Sequence, residues 1–435
     1  MINLNVDLRG MWIFGKLSGG YFITTTINQS MPFLILPILT RYLTPAEYGS
    51  LALFTFYFAI AKTLGGASIH EVISKSFFNT DKTYVAETIG NSIFVVGVLS
   101  LITLLITIAL YPWLQSFLNV PLLWLALIPP ASFAFIVFNI GLTVFRNLKH
   151  VVLFGKHQIL NTVINISISL FLITVLMWSW HGRALGIIIS YFISALIVLW
   201  YLKKIGYISF ALSKTKVNMI SKTLMPLIPN SFQLVIISQM GVYFIQYYYT
   251  KDLLGLYSIG FQVATVINIL VQTLYMSWGP FLYEQISRDK LFNKLYTTRM
   301  LYVFIGTICA GVLFINVTAT FILRIMTTPG FYGASEFIPW FTIGFMFYGF
   351  YILLIPILIK NDKQKYISGV AFVSMILMVS LNLLFIDMFG YIGVAYAFCL
   401  TYFFMFLAFL WQAQRVMPLP WIRALKVWSS TNHST

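Results

Sequence analysis

An all-α polytopic membrane protein is the fold class that three features of the chain predict. Of its 435 residues 60% are hydrophobic and 9% charged, too few charges to cover a soluble surface. Twelve apolar stretches run through it, most reaching the ~20 residues that carry a helix across ~30 Å of hydrocarbon. Basic residues gather in every second gap between them, 23 of the 27 on one side. In lipid every backbone polar group must be paired within the protein, which admits helices or a closed barrel. Continuous apolar runs without period-two alternation exclude the barrel.

The stretches are read as 17–40, 48–69, 88–111, 121–145, 158–180, 184–202, 224–248, 253–279, 300–323, 336–359, 366–386 and 390–413. The basic side holds Arg9 and Lys16, Lys62 to Lys82, Arg146 to Lys156, Lys203 to Lys222, Arg288 to Arg299, Lys360 to Lys365 and Arg415 to Lys426. The other side holds only Arg41, Arg183, Lys251 and Arg324. Positive charge is retained in the cytoplasm, so both termini are expected there and the number of spans is even. The net charge of +16 is spread over these segments. Anionic membrane lipids account for it, and nucleic acid is not an expected partner.

The first stretch is unusually polar, with Thr24, Thr25, Thr26, Asn28, Gln29 and Ser30 followed by Pro32 and Pro37. It turns back through a short outer loop in which Thr44 and Glu47 have capping-box spacing and Pro45 stands at the first helical position. Lys62 lies inside the second stretch, about 10 Å from its cytoplasmic end at 1.5 Å per residue. It either snorkels to the headgroups or faces inward as a cation awaiting an anionic ligand. Glu71 and Lys75 follow four residues apart and could pair, with Lys75 a second cation near an entrance. The fifth stretch carries Asn161 and Asn165, also four apart.

The longest inner connection, about 203–223, opens with Lys203-Lys204 and mixes apolar with basic residues. It is expected in the headgroup region, with Ile205, Tyr207 and Phe210 dipping inward and the lysines outward. It divides the chain into two six-helix bundles, 1–215 and 216–435. A repeat supports the division: Tyr42, Thr44 and Gly49 match Tyr248, Thr250 and Gly255, each pair 206 positions apart. Two such halves of equal topology make a parallel repeat, whose transport site is expected between the halves.

The seventh stretch parallels the first, with Pro226, Pro229, Asn230, Ser231, Gln233, Ser238 and Gln239. The eighth adds Gln262, Asn268 and Gln272. Corresponding polar, proline-broken helices in two halves point to a transport pathway. Interhelical hydrogen bonds, about 0.6 kcal/mol each, account equally for any single residue. The candidate substrate-binding residues are therefore Lys62, Lys75, Asn28, Gln29, Asn230, Gln233, Gln262, Asn268 and Gln272. No catalytic residue is expected. Cys309, Cys399 and the five histidines show no metal-ligand spacing, so neither a metal nor another cofactor is expected. With no deep carboxylate, the residues do not choose between H+ and Na+ as a coupling ion.

Pro37 to Gly49, PILTRYLTPAEYG, closely resembles the first hairpin of bacterial polysaccharide-biosynthesis flippases. These are the O-antigen or Wzx-type translocases of the multidrug/oligosaccharidyl-lipid/polysaccharide exporter superfamily. Ser277-Trp278-Gly279-Pro280-Phe281 resembles a second stretch of that family. The resemblance implies two pseudo-symmetric six-helix bundles around a central cavity. It implies that undecaprenyl-pyrophosphate-linked oligosaccharide units are flipped across the bacterial inner membrane for O-antigen or other surface polysaccharide. Other polysaccharide-assembly membrane proteins are expected partners on the same ground. The similar lipid II flippases rely on an arginine in their first helix, where this chain has uncharged polar residues. Two other functions compete. A small-molecule or multidrug antiporter shares the architecture. A membrane-embedded polysaccharide polymerase should display a sizeable outer loop with convergent charged residues, and the outer loops here are short.

Topology is checked with reporter fusions. Fusions after Glu47, Gln115, Arg183 and Phe389 should report the periplasm, and those after Lys82, Lys216 and Lys363 the cytoplasm. A cytoplasmic signal at any two of the first group contradicts the twelve-span reading.

Overall fold

The computed structural model describes residues 26, 28–66, 68–78, 81–287 and 291–424. Its helices are α1 (Leu36–Tyr42), α2 (Pro45–Leu64), α3 (Ile69–Ser76), α4 (Lys82–Ala109), α5 (Tyr111–Leu118), α6 (Leu122–Asn147), α7 (Val151–Leu170) and α8 (Ser179–Lys204). They continue with α9 (Lys214–Leu224), α10 (Leu227–Tyr248), α11 (Lys251–Ser287), α12 (Leu291–Met326), α13 (Ile338–Ile352), α14 (Ile355–Lys360), α15 (Gln364–Phe389) and α16 (Gly393–Val416). No strand occurs among the described residues.

Eight helical stretches are long and apolar enough to cross a membrane, and the last, Gln364–Val416, comprises both α15 and α16. Two bent helix pairs pass the same test only when taken together, Pro45–Leu64 with Ile69–Ser76 and Lys214–Gln233 with Val235–Tyr248, each a broken span or a re-entrant loop. Residues 17–25 of the first predicted stretch lie outside the described residues, as do Arg9, Lys16 and Lys426. The described residues thus form a multi-pass helical membrane protein, with eight candidate spans, or up to ten with the bent pairs, consistent with the twelve predicted.

Residues up to Val235 form one compact unit, and those from Ile236 a second. In the first, the short turn before α2 forms as its residues dictate. Thr44 Oγ1 accepts from the Glu47 amide (3.3 Å) and Glu47 Oε2 accepts from the Thr44 amide (2.7 Å), closing a capping box behind Pro45. Its core is mainly aliphatic: Ile73 of α3, Ile89 and Val96 of α4, Val137 of α6, Val198 of α8 and Ile220 of α9 pack together, with Phe145 of α6 among them. Gly141 lets α6 and α8 approach closely, for a Cβ there would lie 2.1 Å from Val198 Cγ1.

Several boundaries differ from the sequence reading. The fifth span begins at Val151 rather than 158 and ends in a single π-helical turn, Phe171–Val175. The reversal that follows is tight, with left-handed backbone at Met177 and Ser179. Arg183, placed above in an outer gap, is therefore inside α8, because that helix already starts at Ser179. The eighth span runs through Pro280 to Ser287, a proline being tolerated in a membrane helix where neighbours re-pair the freed carbonyl.

The connection after α8 is a strap laid along α4. The Ser209 amide donates to the Ala86 carbonyl (3.1 Å), while Asn91 donates to the Ala211 carbonyl (3.0 Å) and accepts from the Ser213 amide (3.0 Å). Lys216 Nζ then pairs with Glu87 at 2.6 Å, the one ion pair among the described residues. Ile205 and Tyr207 pack on the first core, and Phe210 is 61% exposed.

The second unit is built on aromatic rings. Phe261 of α11, Phe341 and Phe345 of α13 and Phe398 of α16 meet with centroids 5.2–5.6 Å apart. Gly344 admits Phe398, which a Cβ would approach to 2.5 Å. The predicted tenth span is broken between α13 and α14, where Pro356 cannot donate to Ile352. Trp278, fully buried, donates Nε1 to the Leu353 carbonyl at this break (2.6 Å).

A Cβ on Gly90 would fall 1.8 Å from the Ser209 carbonyl oxygen. Gly90→Ala is thus expected to lift the strap, to cost about 1–3 kcal/mol as overpacking does, and to speed tryptic cleavage at Lys204 and Lys214. Gly97→Ala, where the nearest neighbour is Phe133 at 3.5 Å, should leave thermal unfolding in detergent and cleavage unchanged.

Candidate functional site

A polar seam runs between α7 and α8 within the first unit. Asn161, Asn165 and Ser169 recur every four residues and share one face of α7. Ser190 and Ser194 do the same on α8. Asn161 Nδ2 donates to Ser194 Oγ (2.9 Å) and to the Ser190 carbonyl (3.2 Å), and Asn165 Nδ2 donates to Ser190 Oγ (3.1 Å). Close approach depends on Gly186, whose Cβ would lie 2.0 Å from Ser169 Oγ. The first helix joins the seam through Asn28, whose Oδ1 accepts from Thr162 at 2.6 Å.

Arg183 enters the seam from α8. Its Nη1 donates to Asn165 Oδ1 and to Ser169 Oγ (2.8 Å). No carboxylate stands within 4 Å of it among the described residues, so a guanidinium inside a membrane span is held by neutral acceptors alone. Such a charge is expensive and is normally retained for function.

A second cation, Lys62, sits on the aromatic side of the same unit. Its Nζ lies 4.6 Å from the Phe135 ring centroid and 5.0 Å from that of Phe58, and it too lacks a carboxylate partner. Such contacts contribute about 2 kcal/mol or more once desolvated. Tyr191 packs edge-on against Phe135 at 5.0 Å. It is eight residues from Arg183 on α8, roughly 12 Å along the axis. Arg183 and the ring cluster under Lys62 therefore stand at two depths of one helix.

The other predicted residues are dispersed. Lys75 and Glu71 are both exposed on α3, and no ion pair joins them. Gln29 is exposed and Gln233 is buried. Asn230 has a side chain outside the described residues. Its neighbour Ser231 hydrogen-bonds Ser68 at the break between α2 and α3. In the second unit Gln272 donates to the Tyr348 hydroxyl (2.6 Å), and buried Asn268 Oδ1 has no hydrogen-bond partner. Gln262 is half-buried on the same helix. No group of three His, Cys, Asp or Glu side chains that could hold a metal ion occurs among the described residues.

Arg183, Ser169, Ser190 and Ser194 were not among the residues singled out from sequence. The signal was present: polar residues every fourth position on two consecutive spans. An arginine seven residues before Ser190 falls on the same face as it, two turns away.

Two Arg183 variants separate its charge from its hydrogen bonds. Arg183→Gln keeps a donor for Asn165 and should hold thermal stability within ~1 kcal/mol, while Arg183→Ala leaves buried acceptors unpaired and should lose ~1–3 kcal/mol. Unfolding of the detergent-purified protein measures both. Equal stability of the two variants contradicts the load assigned to this contact.

Comparison with known proteins bears on what the seam serves. A family model described as "Polysaccharide biosynthesis protein" matches residues 18–286, more than half of the chain. Protein 1 of the Lsg locus of Haemophilus influenzae is 25% identical over 379 residues, covering 83% of this chain and 88% of its own. Among solved structures, a multidrug resistance MATE family transporter of the MOP superfamily aligns with a TM-score of 0.72 at 14% identity, over 90% of this chain and 95% of the transporter. The lipid II flippase MurJ aligns with a TM-score of 0.70 at 16% identity, over 91% of this chain and 87% of that one. At these identities the solved structures speak for the fold alone. With the helical architecture and the matched family together, the chain belongs to the polysaccharide biosynthesis protein family.

Proposed function

We propose that this protein flips a lipid-linked oligosaccharide, carried on a polyprenyl pyrophosphate, from the cytoplasmic to the outer leaflet of the bacterial inner membrane. In this reading both termini are cytoplasmic, and the unit moved is a repeat of O-antigen or another surface polysaccharide. The observation that carries it is the pair of in-span cations, Lys62 and Arg183, without a carboxylate partner among the described residues. A pyrophosphate entering a low-dielectric site needs compensating positive charge, since an uncompensated ion there costs several kcal/mol. Lys62 answers to the anion, with Lys75 assisting near the entrance. The amides Asn28, Gln29, Asn230, Gln233, Gln262, Asn268 and Gln272 answer to sugar hydroxyls. Family membership supports the substrate class, and the sugar-compatible amides outnumber the deep carboxylates that a cation-exporting pump would use.

The test is complementation of a flippase-null strain, scored by surface polysaccharide at matched membrane abundance. Lys62→Ala is expected to cut export at least tenfold, equivalent to ~1.4 kcal/mol, with Lys62→Arg retaining more and Lys75→Ala milder. Full export from the Lys62→Ala, Lys75→Ala double variant would remove both from the mechanism. No complementation by the native chain, together with dye efflux that it restores, would assign a small-molecule antiporter instead.

A further inference from the structure

The second unit contains a cavity of about 430 Å³, within the range of ligand pockets. Leu301 and Ile305 of α12, Leu353 and Leu354 at the end of α13, and Phe406 and Leu410 of α16 form its walls. Only Gln414 brings a polar side-chain amide to the lining, beside the indole of Trp421. The opening is wide, and walls this apolar offer water and sugar almost no hydrogen-bond partners, so the content they suit is hydrocarbon.

One wall is held in place by a specific device. Gln414 Oε1 accepts from the Leu419 amide (3.2 Å) and from Trp421 Nε1 (3.1 Å), while its Nε2 donates to the Leu419 carbonyl (3.1 Å). The Tyr302 hydroxyl donates to the Trp421 carbonyl (3.3 Å), and its ring meets the indole edge-on at 5.4 Å. The chain beyond α16 is thereby folded back to close the cavity, an arrangement that a loosely attached tail would not need.

Charge identifies the rest of the ligand. Arg299, Arg415 and Arg423 lie within two residues of the lining positions Leu301, Gln414 and Trp421. Along α12 and α16 that separation is at most about 3 Å of depth. Arg415 lies flat on Trp411, its guanidinium carbon 3.8 Å from the ring centroid, which leaves the edge donors directed away from the ring. None of the three forms an ion pair among the described residues. An apolar cavity at the basic ends of membrane helices matches a lipid chain below an acidic headgroup.

We infer that this cavity is a binding site for one acyl chain of an anionic phospholipid, in the leaflet that faces the basic loops, with the headgroup at Arg415 and Arg423. Phospholipid is the hydrocarbon present there at highest concentration, and occupancy follows by mass action. A chain seated against Trp421 stabilises the folded-back segment and its contact with Tyr302 of α12. The site is separate from the seam in the first unit, and it does not depend on which substrate the protein carries.

The experiment uses full-length protein in nanodiscs containing phosphatidylglycerol with a diazirine in one acyl chain, with labelled peptides mapped by mass spectrometry. Label is expected on peptides containing 301–305 or 406–421, displaced by unlabelled phosphatidylglycerol and at least five-fold less by phosphatidylcholine of the same chains. Leu410→Trp, which fills the cavity, should reduce labelling at least five-fold. Arg415→Gln, at the rim, should keep the labelled position but lose the preference for the acidic headgroup, and it guards against a folding defect in the first variant. Label elsewhere, or equal displacement by phosphatidylcholine, overturns the proposal. Displacement by a polyprenyl phosphate at a tenth of the phosphatidylglycerol concentration overturns the assignment to phospholipid and gives the site to the carrier lipid.

Discussion

Hydrocarbon offers no hydrogen bonds, and the arrangement of polar groups in this protein follows from that constraint. Backbone groups satisfy it by forming helices. Single hydroxyls satisfy it by bonding to the carbonyl one turn earlier, as Thr88 does to Tyr84 and Thr103 to Leu99. Groups with more donors than one turn can accept must find another helix. That requirement brings Asn161 to Ser194, Asn165 to Ser190 and Arg183 to Asn165 and Ser169. The seam is therefore also what aligns α7 with α8. The same constraint explains Trp278, whose indole meets the carbonyl that the break before Pro356 leaves available.

The two in-span cations satisfy it differently. A guanidinium is planar with five donors and can be held by neutral oxygens, which Asn165 and Ser169 supply to Arg183. An ammonium is a compact charge, and Lys62 rests it on the faces of Phe58 and Phe135. Neither solution neutralises the charge. By contrast, Lys216 and Glu87 form a direct pair at the helix ends, where the strap crosses α4. Net positive charge is thus kept inside the first unit, while the second is packed largely from phenylalanine and tyrosine rings and holds an apolar cavity apart from them.

Much of this was legible in the residues. The capping box at Thr44 and Glu47 could be written down from spacing, because both partners lie within one turn. Span existence followed from apolar length, and the family from the hairpin that Pro37 to Gly49 forms. Span boundaries were less legible. Hydropathy marks where apolar residues begin, whereas a helix begins where its first turn is capped or its chain reverses. Arg183 shows the difference: its charge marks a loop on a hydropathy scale, yet acceptors on α7 let it stay inside α8. The strap shows it again. Asn91 and Gly90 look unremarkable within an apolar run, and their role appears only when Ser209 to Ser213 is laid against them.

By itself the sequence determined the fold class, the alternation of basic and charge-poor connections, and the family, because each rests on length, composition or contiguous residues. Which amide faces which helix was decided only by tertiary structure. Asn28, Asn161 and Gln272 have the same chemistry and the same apolar surroundings in sequence, but they bond Thr162, Ser194 and Tyr348 respectively. Lys62 could have reached the headgroups or turned inward, and its backbone position allowed both. The rings of Phe58 and Phe135, one on its own helix and one 73 positions away on α6, settled where its charge rests. Contacts between residues that far apart depend on how helices pack, and packing is a property of the assembled bundle rather than of any one span.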